Sequence, residues 1–196
     1  MHYDYDALAE LVAKIKDGDM AAFRLLYEKT QRQIYYFALK IMRNKEEAED
    51  VLQETYINAY RHIGKCKNDR AVVKWLTTIA YNIMRDRMAV LAKANQMFVH
   101  DSEEQEVLDQ VMDEFSIEEE LIRKEDKAHI LDLIDKLPEK QRITLYMYYF
   151  KGLSAAEIAE VCDCKENLIY KRLHDARNAI KKRLQQEMTK GGSGDE

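Results

Sequence analysis

Residues 45–60 read KEEAEDVLQETYINAY, and this stretch has the spacing of a helix with two unlike faces. Small and apolar side chains recur at steps of three and four residues, so they form a stripe that can bury against a core. The stripe consists of Ala48, Val51, Leu52, Thr55, Tyr56 and Ala59. The other face carries Asp50, Gln53, Glu54 and Ile57. Asp50 and Glu54 are like charges one turn apart, which costs roughly a few tenths of a kcal/mol. Either this face meets a cationic partner or it is simply solvated.

The composition predicts an all-α protein. The chain has 196 residues but only one Pro and six Gly, and it is rich in residues that favour helices. Periodicity and capping signals predict one helical bundle with helices at about residues 4–17, 19–43, 45–63 and 70–93. They predict a second group at about residues 116–137, 139–151, 154–162 and 166–188.

This pattern predicts two small helical domains joined by a linker. We expect the domains to span residues 1–93 and 116–190. Residues 94–115 are acidic with scattered apolar positions, which is typical of a flexible linker, and residues 191–196 read as a flexible tail.

Several local signals fix where helices begin and end. Asp19 is a good N-cap for the second helix, and Asn44 is expected to end that helix. Ser116 has the spacing of a capping box with the glutamate three residues on, and Gly152 is placed to end a helix. Trp75 lies on an apolar stripe of the fourth helix, so a core position is expected for it in preference to a stacking role. The stripe consists of Val73, Trp75, Leu76, Ile79, Ala80 and Ile83.

Charge is segregated along the chain more than the net charge of −5 suggests. Residues 61–93 hold eight basic and two acidic residues, residues 98–126 hold two basic and twelve acidic ones, and residues 164–190 hold eight and three. The two basic segments on either side of the acidic connector could form two separate contacts with nucleic acid. Ordinary solvated helix faces would also explain these charges.

The remaining composition excludes several classes of protein. Three cysteines and the absence of a signal pattern in MHYDYDALAE predict a reducing cytoplasm. No apolar run is long enough to predict a membrane-spanning segment. No HExxH spacing, phosphate loop or nucleophile elbow occurs, so no enzymatic activity and no cofactor are expected. Cys162 and Cys164 lack the further ligands of a zinc site and are expected to be small buried hydrophobes, so no metal is predicted.

Residues 153–164, LSAAEIAEVCDC, and the basic stretch after them have the pattern of a helix-turn-helix. Ser154 caps a short helix, and Glu157 takes the reciprocal capping-box position. The small shared core is expected to contain Ile158, Ala159, Cys162, Cys164, Ile169 and Leu173. The next helix would present outward, toward a major groove, Lys165, Asn167, Lys171, Arg172, His174, Arg177 and Lys181. A purely structural helical hairpin is the alternative.

Four blocks of sequence, in this order, resemble the extracytoplasmic-function (ECF) sigma factors of bacterial RNA polymerase over about residues 19–188. The blocks are Phe23 with Leu26 and Tyr27; AEDVLQETY at residues 48–56; Trp75, Leu76, Ile79, Ala80, Asn82 and Asp86; and Leu137-Pro138 leading to Glu157-Ile158-Ala159 and Arg172-Leu173. Each block alone is weak, but the four together are highly specific.

The resemblance implies that core RNA polymerase and promoter DNA are the partners. The first domain would dock on the polymerase and read the minus 10 element, and the second would read the minus 35 element. Asp50, Gln53, Glu54 and Ile57 would contact a basic coiled coil on the largest polymerase subunit. Charge-assisted hydrogen bonds worth roughly 1.5–3 kcal/mol each would then offset the repulsion on the free helix.

The resemblance also implies a minus 10 surface. The loop at residues 64–70 would capture a base flipped out of the promoter duplex, which helps hold the strands apart. The surface would comprise Lys65, Lys67, Asn68, Arg70, Lys74, Asn82, Arg85 and Arg87. The acidic linker would occupy the nucleic-acid channel of the polymerase or remain solvated and disordered, and an anti-sigma factor could restrain the protein.

Departures from the family pattern bear on affinity. Ala89 stands where a further Arg is usual, Asp163 replaces the Gly of the turn, and Lys165 replaces a Ser or Thr cap. Ala89 and the weakened cap suggest one rival function, a polymerase-binding adaptor that no longer opens DNA. The other alternative is a stand-alone helix-turn-helix repressor.

Overall fold

The computed structural model describes residues 4–94 and 127–191, and each secondary-structure element in these ranges is helical. Packing divides the chain into two compact units, Met1–Asp101 and Ser102–Glu196. The prediction of an all-α protein with two helical domains is confirmed. The predicted linker beyond residue 94, the capping box at Ser116 and the tail beyond residue 191 lie outside the described residues.

The first unit contains four long helices in the predicted order. They are α1 (Tyr5–Lys16), α2 (Met20–Met42), α3 (Lys45–His62) and α4 (Val72–Ala94), with short 3-10 turns at Ile63–Lys65 and Asp69–Ala71 between α3 and α4. Asp19 caps α2 as expected, accepting hydrogen bonds from the backbone N–H of Ala21 (2.8 Å) and Ala22 (3.1 Å). Asn44 does not end α2. Arg43 ends it in the left-handed conformation (φ 58°), and Asn44 instead caps α3 through the N–H of Glu47 (3.1 Å).

Helix α3 packs against α2 and α4 through the predicted stripe. All residues of the stripe are buried except Leu52, which is half-buried. Tyr56 carries the one phenol of the stripe, and its hydroxyl lies 2.5 Å from the Thr30 hydroxyl, while Thr30 donates to the Leu26 carbonyl (2.6 Å). The Tyr27 ring packs edge-on to Tyr56 at 4.8 Å. Burying this stripe with its polar groups paired fixes the rotation of α3 about its axis.

Helix α4 buries only part of the predicted stripe, namely Val73, Leu76 and Ala80. Its core side chains are Val72, Val73, Leu76, Thr77, Ala80 and Met84. Trp75, Ile79 and Ile83 were expected in the core but are only half-buried. They lie on the neighbouring face, because Val72 and Thr77 complete the buried stripe in their place.

The second unit contains four shorter segments and one long helix. They are α5 (Lys127–Asp135), α6 (Glu139–Leu145), a π-helical turn (Tyr146–Phe150), α7 (Ala155–Cys162) and α8 (Glu166–Gly191). The predicted helix at 139–151 is therefore interrupted by the π turn. Gly152 follows at φ +65°, a conformation that glycine adopts readily, so its predicted position at the end of a helix is confirmed.

Helices α7 and α8 form the predicted helix-turn-helix. The Ser154 hydroxyl accepts from the N–H of Glu157 (3.2 Å), and the Glu157 carboxylate accepts from the N–H of Ser154 (3.0 Å), which confirms the capping box. Asp163 makes the turn in the left-handed conformation (φ 52°). Cys162 and Cys164 are half-buried, not buried, because they flank this turn, and Val161 supplies a buried side chain in their place.

The second unit holds one lysine in an unfavourable environment. Lys151 follows the π turn and is half-buried. Desolvation lowers the pKa of Lys151 from 10.5 to about 7. The unfolded chain therefore binds more protons at this group between pH 7 and 10.5, so the free energy of unfolding rises with pH across that window.

We expect Lys151→Met to raise the free energy of unfolding below pH 7, where the lysine is charged in both states. One pKa unit corresponds to about 1.4 kcal/mol, and since the side chain keeps some contact with water we expect a gain on the order of 1–2 kcal/mol. The gain should disappear near pH 10. Denaturation of the full chain, followed by circular dichroism across this pH range, measures the difference. Lys182→Met at an exposed position of α8 is the control, and an equal gain at every pH would contradict the prediction.

Candidate functional site

The outer face of α3 is exposed along its length. Asp50, Gln53, Glu54 and Ile57 all reach the surface, and Ile57 retains 51% of its accessible area. The face thus combines two acidic side chains with an amide and, toward its C-terminal end, an exposed apolar side chain, a composition suited to an interaction surface. The opposite stripe is buried, so this face cannot turn inward.

The two carboxylates of this face already have a cationic partner within the unit. Arg87 of α4 contacts Glu47 (Nη1 to Oε2, 2.9 Å), Glu54 (Nη2 to Oε2, 3.0 Å) and, more distantly, Asp50 (Nη1 to Oδ2, 3.5 Å). We call these four residues the Arg87 cluster. Its side chains keep between 29% and 62% of their accessible area, so each pair is worth only about 0.2–1 kcal/mol. Repulsion between Asp50 and Glu54 is therefore partly relieved in the free protein, which the sequence did not indicate.

The guanidinium of Arg87 is held in its charged form. Partial burial alone would lower the pKa of Arg87, but the hydrogen bonds that it donates to Glu47 and Glu54, together with their negative charges, outweigh burial and raise the pKa above its ordinary value. Arg87 is thus a permanent cation shared among three carboxylates.

A cleft of about 710 Å³ lies beside the Arg87 cluster, between α3 and α4. Its apolar wall is formed by Trp75, Ile79 and Ile83, the three side chains that were expected in the core. Polar residues that line it include Asn58, His62, Lys65 and Asn82. An aromatic side chain together with amide and cationic groups is suited chemically to a nucleobase.

The loop between α3 and α4 exposes its predicted DNA-contacting side chains. Lys65, Lys67 and Asn68 are exposed, and the Asn68 side chain also accepts from the N–H of Arg70 (3.1 Å). Arg70 is exposed and pairs with Asp6 of α1 at 2.5 Å. The backbone of this loop is therefore ordered by its own side chains and by α1.

The other predicted minus 10 residues are distributed along α4. Lys74 and Asn82 are half-buried, and Asn82 joins Lys65 and Arg87 around the cleft. Arg85 is exposed and pairs with the adjacent Asp86 (3.1 Å). The structure thus gathers part of the predicted set at one cleft and leaves Lys67, Asn68, Arg70, Lys74 and Arg85 outside its lining.

On α8, the predicted minus 35 residues differ in exposure. Lys165 and Asn167 are exposed near the start of the helix, and Lys171 and Lys181 are half-buried. His174 lies 2.8 Å from Asn178 within the helix. Arg177 donates to the Tyr149 hydroxyl (3.0 Å) and lies 5.8 Å from the centroids of the Tyr148 and Tyr149 rings.

The expectation that Arg172 points outward is wrong. Arg172 keeps 9% of its accessible area and counts among the buried polar residues. It lies within the stripe of Ile169, Leu173 and Ala176, all buried, so the helical period directs its stem toward the core. Its basic character suggested a contact surface, but its register places it inside.

Sequence reasoning missed two members of the first-unit surface. Glu47 lies three and seven residues before Asp50 and Glu54, so the helical spacing could have found it, whereas its pairing with Arg87 joins positions 40 residues apart. Trp75 was placed in the core, and only the packing of α4 shows that it lines the cleft.

Among the described residues, no group of three or more His, Cys, Asp or Glu side chains is arranged to hold a metal ion.

Comparison with known proteins identifies both halves of the chain. The family described as Sigma-70 region 2 matches residues 26–93, and that described as Sigma-70, region 4 matches residues 128–180. The chain is 34% identical to the RNA polymerase sigma-H factor of Pseudomonas aeruginosa over 90% of its own length and 93% of the relative's. It is 30% identical to the ECF RNA polymerase sigma factor SigW of Bacillus subtilis over 88% and 94% of the two chains.

Solved structures show the same fold. The sigma factor RpoE in complex with the anti-sigma factor NepR from Bartonella quintana has a TM-score of 0.60 at 19% identity, covering 83% of this chain and 96% of that one. CnrH in complex with the cytosolic domain of CnrY has a TM-score of 0.61 at 21% identity, covering 92% and 99%.

A chain that carries both regions in this order is a sigma factor, a transcription initiation factor that directs promoter recognition, and not a stand-alone helix-turn-helix repressor. More narrowly, it belongs to the extracytoplasmic-function sigma factors of RNA polymerase, as the resemblance implied. Within residues 4–94 and 127–191, none of the helices is both long and apolar enough to cross a membrane.

The inward position of Arg172 predicts different effects of substitution at two neighbouring residues. We expect Arg172→Ala to lower the free energy of unfolding by about 1–3 kcal/mol, because a buried side chain and its contacts are lost. We expect Lys171→Ala, at a half-buried position, to change it by only about 0.5 kcal/mol. Urea denaturation of the full chain measures both, and equal stability of the two variants would contradict the burial of Arg172.

Proposed function

We propose that the first unit docks on core RNA polymerase and contacts the minus 10 element, and that the second unit contacts the minus 35 element. The exposed face of α3 supports the proposal most directly, since it combines acidic groups with Ile57 on a helix whose other face is buried. Catalysis then belongs to the polymerase, and the protein acts in the cytoplasm, where that enzyme works.

Docking on a cationic partner requires Arg87 to share or surrender its carboxylates. The cluster is exposed enough for an incoming basic helix to compete, because each of its ion pairs is worth only about 0.2–1 kcal/mol. Once Glu54 and Asp50 bind the polymerase, the guanidinium of Arg87 keeps Glu47 of the three carboxylates, and its Nη2 becomes available to promoter phosphate or base. Docking and minus 10 contact are coupled through this one side chain.

The cleft and the loop beside it suit a single strand of DNA. Trp75 and Ile79 offer stacking and apolar contact, Asn58 and Asn82 offer amide groups, and Lys65 brings a cation to the rim. Stacking on an aromatic wall is worth about 1–3 kcal/mol per base, which is comparable with the cost of extruding one.

The second unit supports contact with duplex DNA through the first turns of α8. Lys165 and Asn167 are exposed there, next to exposed Tyr170, which keeps 56% of its area. Arg177 is held by Tyr149, so a phosphate contact from Arg177 would be made by a rigid side chain. Arg172 supports this surface from the core.

An anti-sigma factor is a further proposed partner. RpoE of Bartonella quintana, similar to this chain in fold, was solved with the anti-sigma factor NepR. Such a partner would act by covering surfaces that the polymerase needs.

We expect the double substitution Asp50→Lys/Glu54→Lys to weaken binding to core polymerase by at least about 100-fold. Two charge-assisted hydrogen bonds of roughly 1.5–3 kcal/mol each would be replaced by repulsion. Competition binding against labelled wild-type protein measures the loss, and circular dichroism checks that helicity is retained.

Glu49→Lys is the matched control, because Glu49 is exposed on α3 outside the Arg87 cluster. Equal affinity of wild-type and doubly substituted protein would refute the docking surface. Run-off transcription with core enzyme on genomic fragments distinguishes the adaptor alternative, which predicts core binding without a promoter-dependent transcript.

We expect Arg87→Met to have the opposite effect on docking. Removing the internal cation leaves three carboxylates uncompensated, so they should attract a cationic partner about threefold to tenfold more tightly. Promoter opening should decrease, since the proposed DNA contact is lost.

Arg85→Met is the control, because Arg85 lies on the same helix and pairs with the neighbouring Asp86. It should weaken DNA binding without tightening core binding. Weaker core binding by Arg87→Met would show that Arg87 supports the docking face and does not compete with the partner.

A further inference from the structure

Helix α1 reaches the loop that connects α3 and α4, although it lies before the segment that matches Sigma-70 region 2. The ammonium of Lys16, in the last turn of α1, donates to the Cys66 carbonyl at 2.8 Å. The same Nζ lies 2.5 Å from Oδ1 of Asp69. One side chain therefore fixes two points of the loop, 50 and 53 residues further along the chain.

The points that Lys16 holds lie beneath the exposed part of the loop. Cys66 keeps 2% of its accessible area and donates its thiol to the Asn68 carbonyl (3.4 Å). Burial raises the pKa of the Cys66 thiol, although the charge of Lys16 opposes this shift, so the thiol stays protonated. Lys65, Lys67 and Asn68 project from this fixed base to the surface.

We propose that Lys16 is a positioning residue for promoter recognition: by binding the Cys66 carbonyl and the Asp69 carboxylate together, it holds residues 64–70 in the shape that selects an extruded base. The inference rests on the proposed role of this loop. It assigns part of minus 10 selectivity to a helix outside the matched region.

Lys16 suits this role better than the second link between α1 and the loop. The Lys16 and Asp69 side chains keep only 30% and 31% of their area, so their contact is partly shielded from water. Asp6 and Arg70 keep 71% and 70%, and exposed pairs of this kind contribute little. Lys16 also satisfies a backbone carbonyl, which an ion pair between side chains does not.

The first measurement concerns the loop itself. In the full chain, Lys16→Met should speed hydrogen exchange of the backbone amides at residues 64–70 and alkylation of Cys66 by N-ethylmaleimide, each by about tenfold. Peptide mapping separates Cys66 from Cys162 and Cys164. Lys16→Arg, which can keep both contacts, should restore protection, and Asp69→Asn should loosen the loop from the other side. Lys14→Met, on the exposed face of the same helix, should behave as wild type.

The second measurement concerns base selection by the protein bound to core polymerase. A randomised single-stranded oligonucleotide pool serves as the probe, and sequencing of the bound fraction gives the preference for each base. We expect Lys16→Met to reduce the strongest preference about tenfold while affinity for core polymerase stays unchanged. This separation of selectivity from affinity is one that a general loss of stability would not produce.

The outcomes distinguish the inference from the proposed function. Unchanged loop protection, or unchanged base preference despite a loosened loop, would overturn the role of Lys16. Absence of any base preference in the wild-type protein, with core binding intact, would instead refute the proposed role of residues 64–70 and with it the functional part of the inference.

Discussion

The rotation of α3 about its own axis determines the surfaces of the first unit. Ala48, Val51 and Ala59 are completely buried, and the Tyr56 hydroxyl must meet Thr30, so turning the helix by one residue would bury Asp50 or Glu54 and expose this stripe. Burying an unpaired carboxylate costs several kcal/mol, far more than the gain from any single surface contact. The acidic face therefore points outward because of what the opposite face must bury. Its position relative to α4 follows, and that position brings Glu47, Asp50 and Glu54 within reach of Arg87.

Pairing within the protein is a common property of the arginines expected to meet DNA. Arg70 binds Asp6, Arg85 binds Asp86, and Arg87 binds the α3 carboxylates. These pairs lower the positive potential that the first unit presents to phosphate, although residues 61–93 are strongly basic in sequence. Each ion pair is weak enough to be replaced by a contact with a partner. A partner that binds the carboxylates would therefore leave the arginines exposed. An acidic protein can thus contain nucleic-acid surfaces that become strongly basic only in the assembled complex.

The sequence predicted what depends on local chemistry. Helix order, the Asp19 cap and the Ser154–Glu157 capping box were right, because each is decided by neighbours within one turn. Apart from the end of α2 at Arg43 and the π turn at Tyr146–Phe150, the errors concern long-range packing or register. Trp75 lies outside the core because Val72 and Thr77 fill the position expected for it. Arg172 lies inside the core because its helical register places it beside Leu173. The Arg87 cluster and the contacts of Lys16 join residues 33 to 53 positions apart, and no periodicity in a single chain reports such pairs.

In the proposed function residues 64–70 capture a base, and their order in the free protein then has an energetic consequence for promoter opening. Fixing a mobile backbone costs about 1–2 kcal/mol per residue, so ordering residues 64–70 at the moment of binding would consume more free energy than stacking one base returns, about 1–3 kcal/mol. In this structure the cost is met during folding. Cys66 is buried, Asn68 caps Arg70, and Lys16 binds the loop from α1. The free energy of base capture is then available to keep the strands apart, because little of it is spent on shaping the loop.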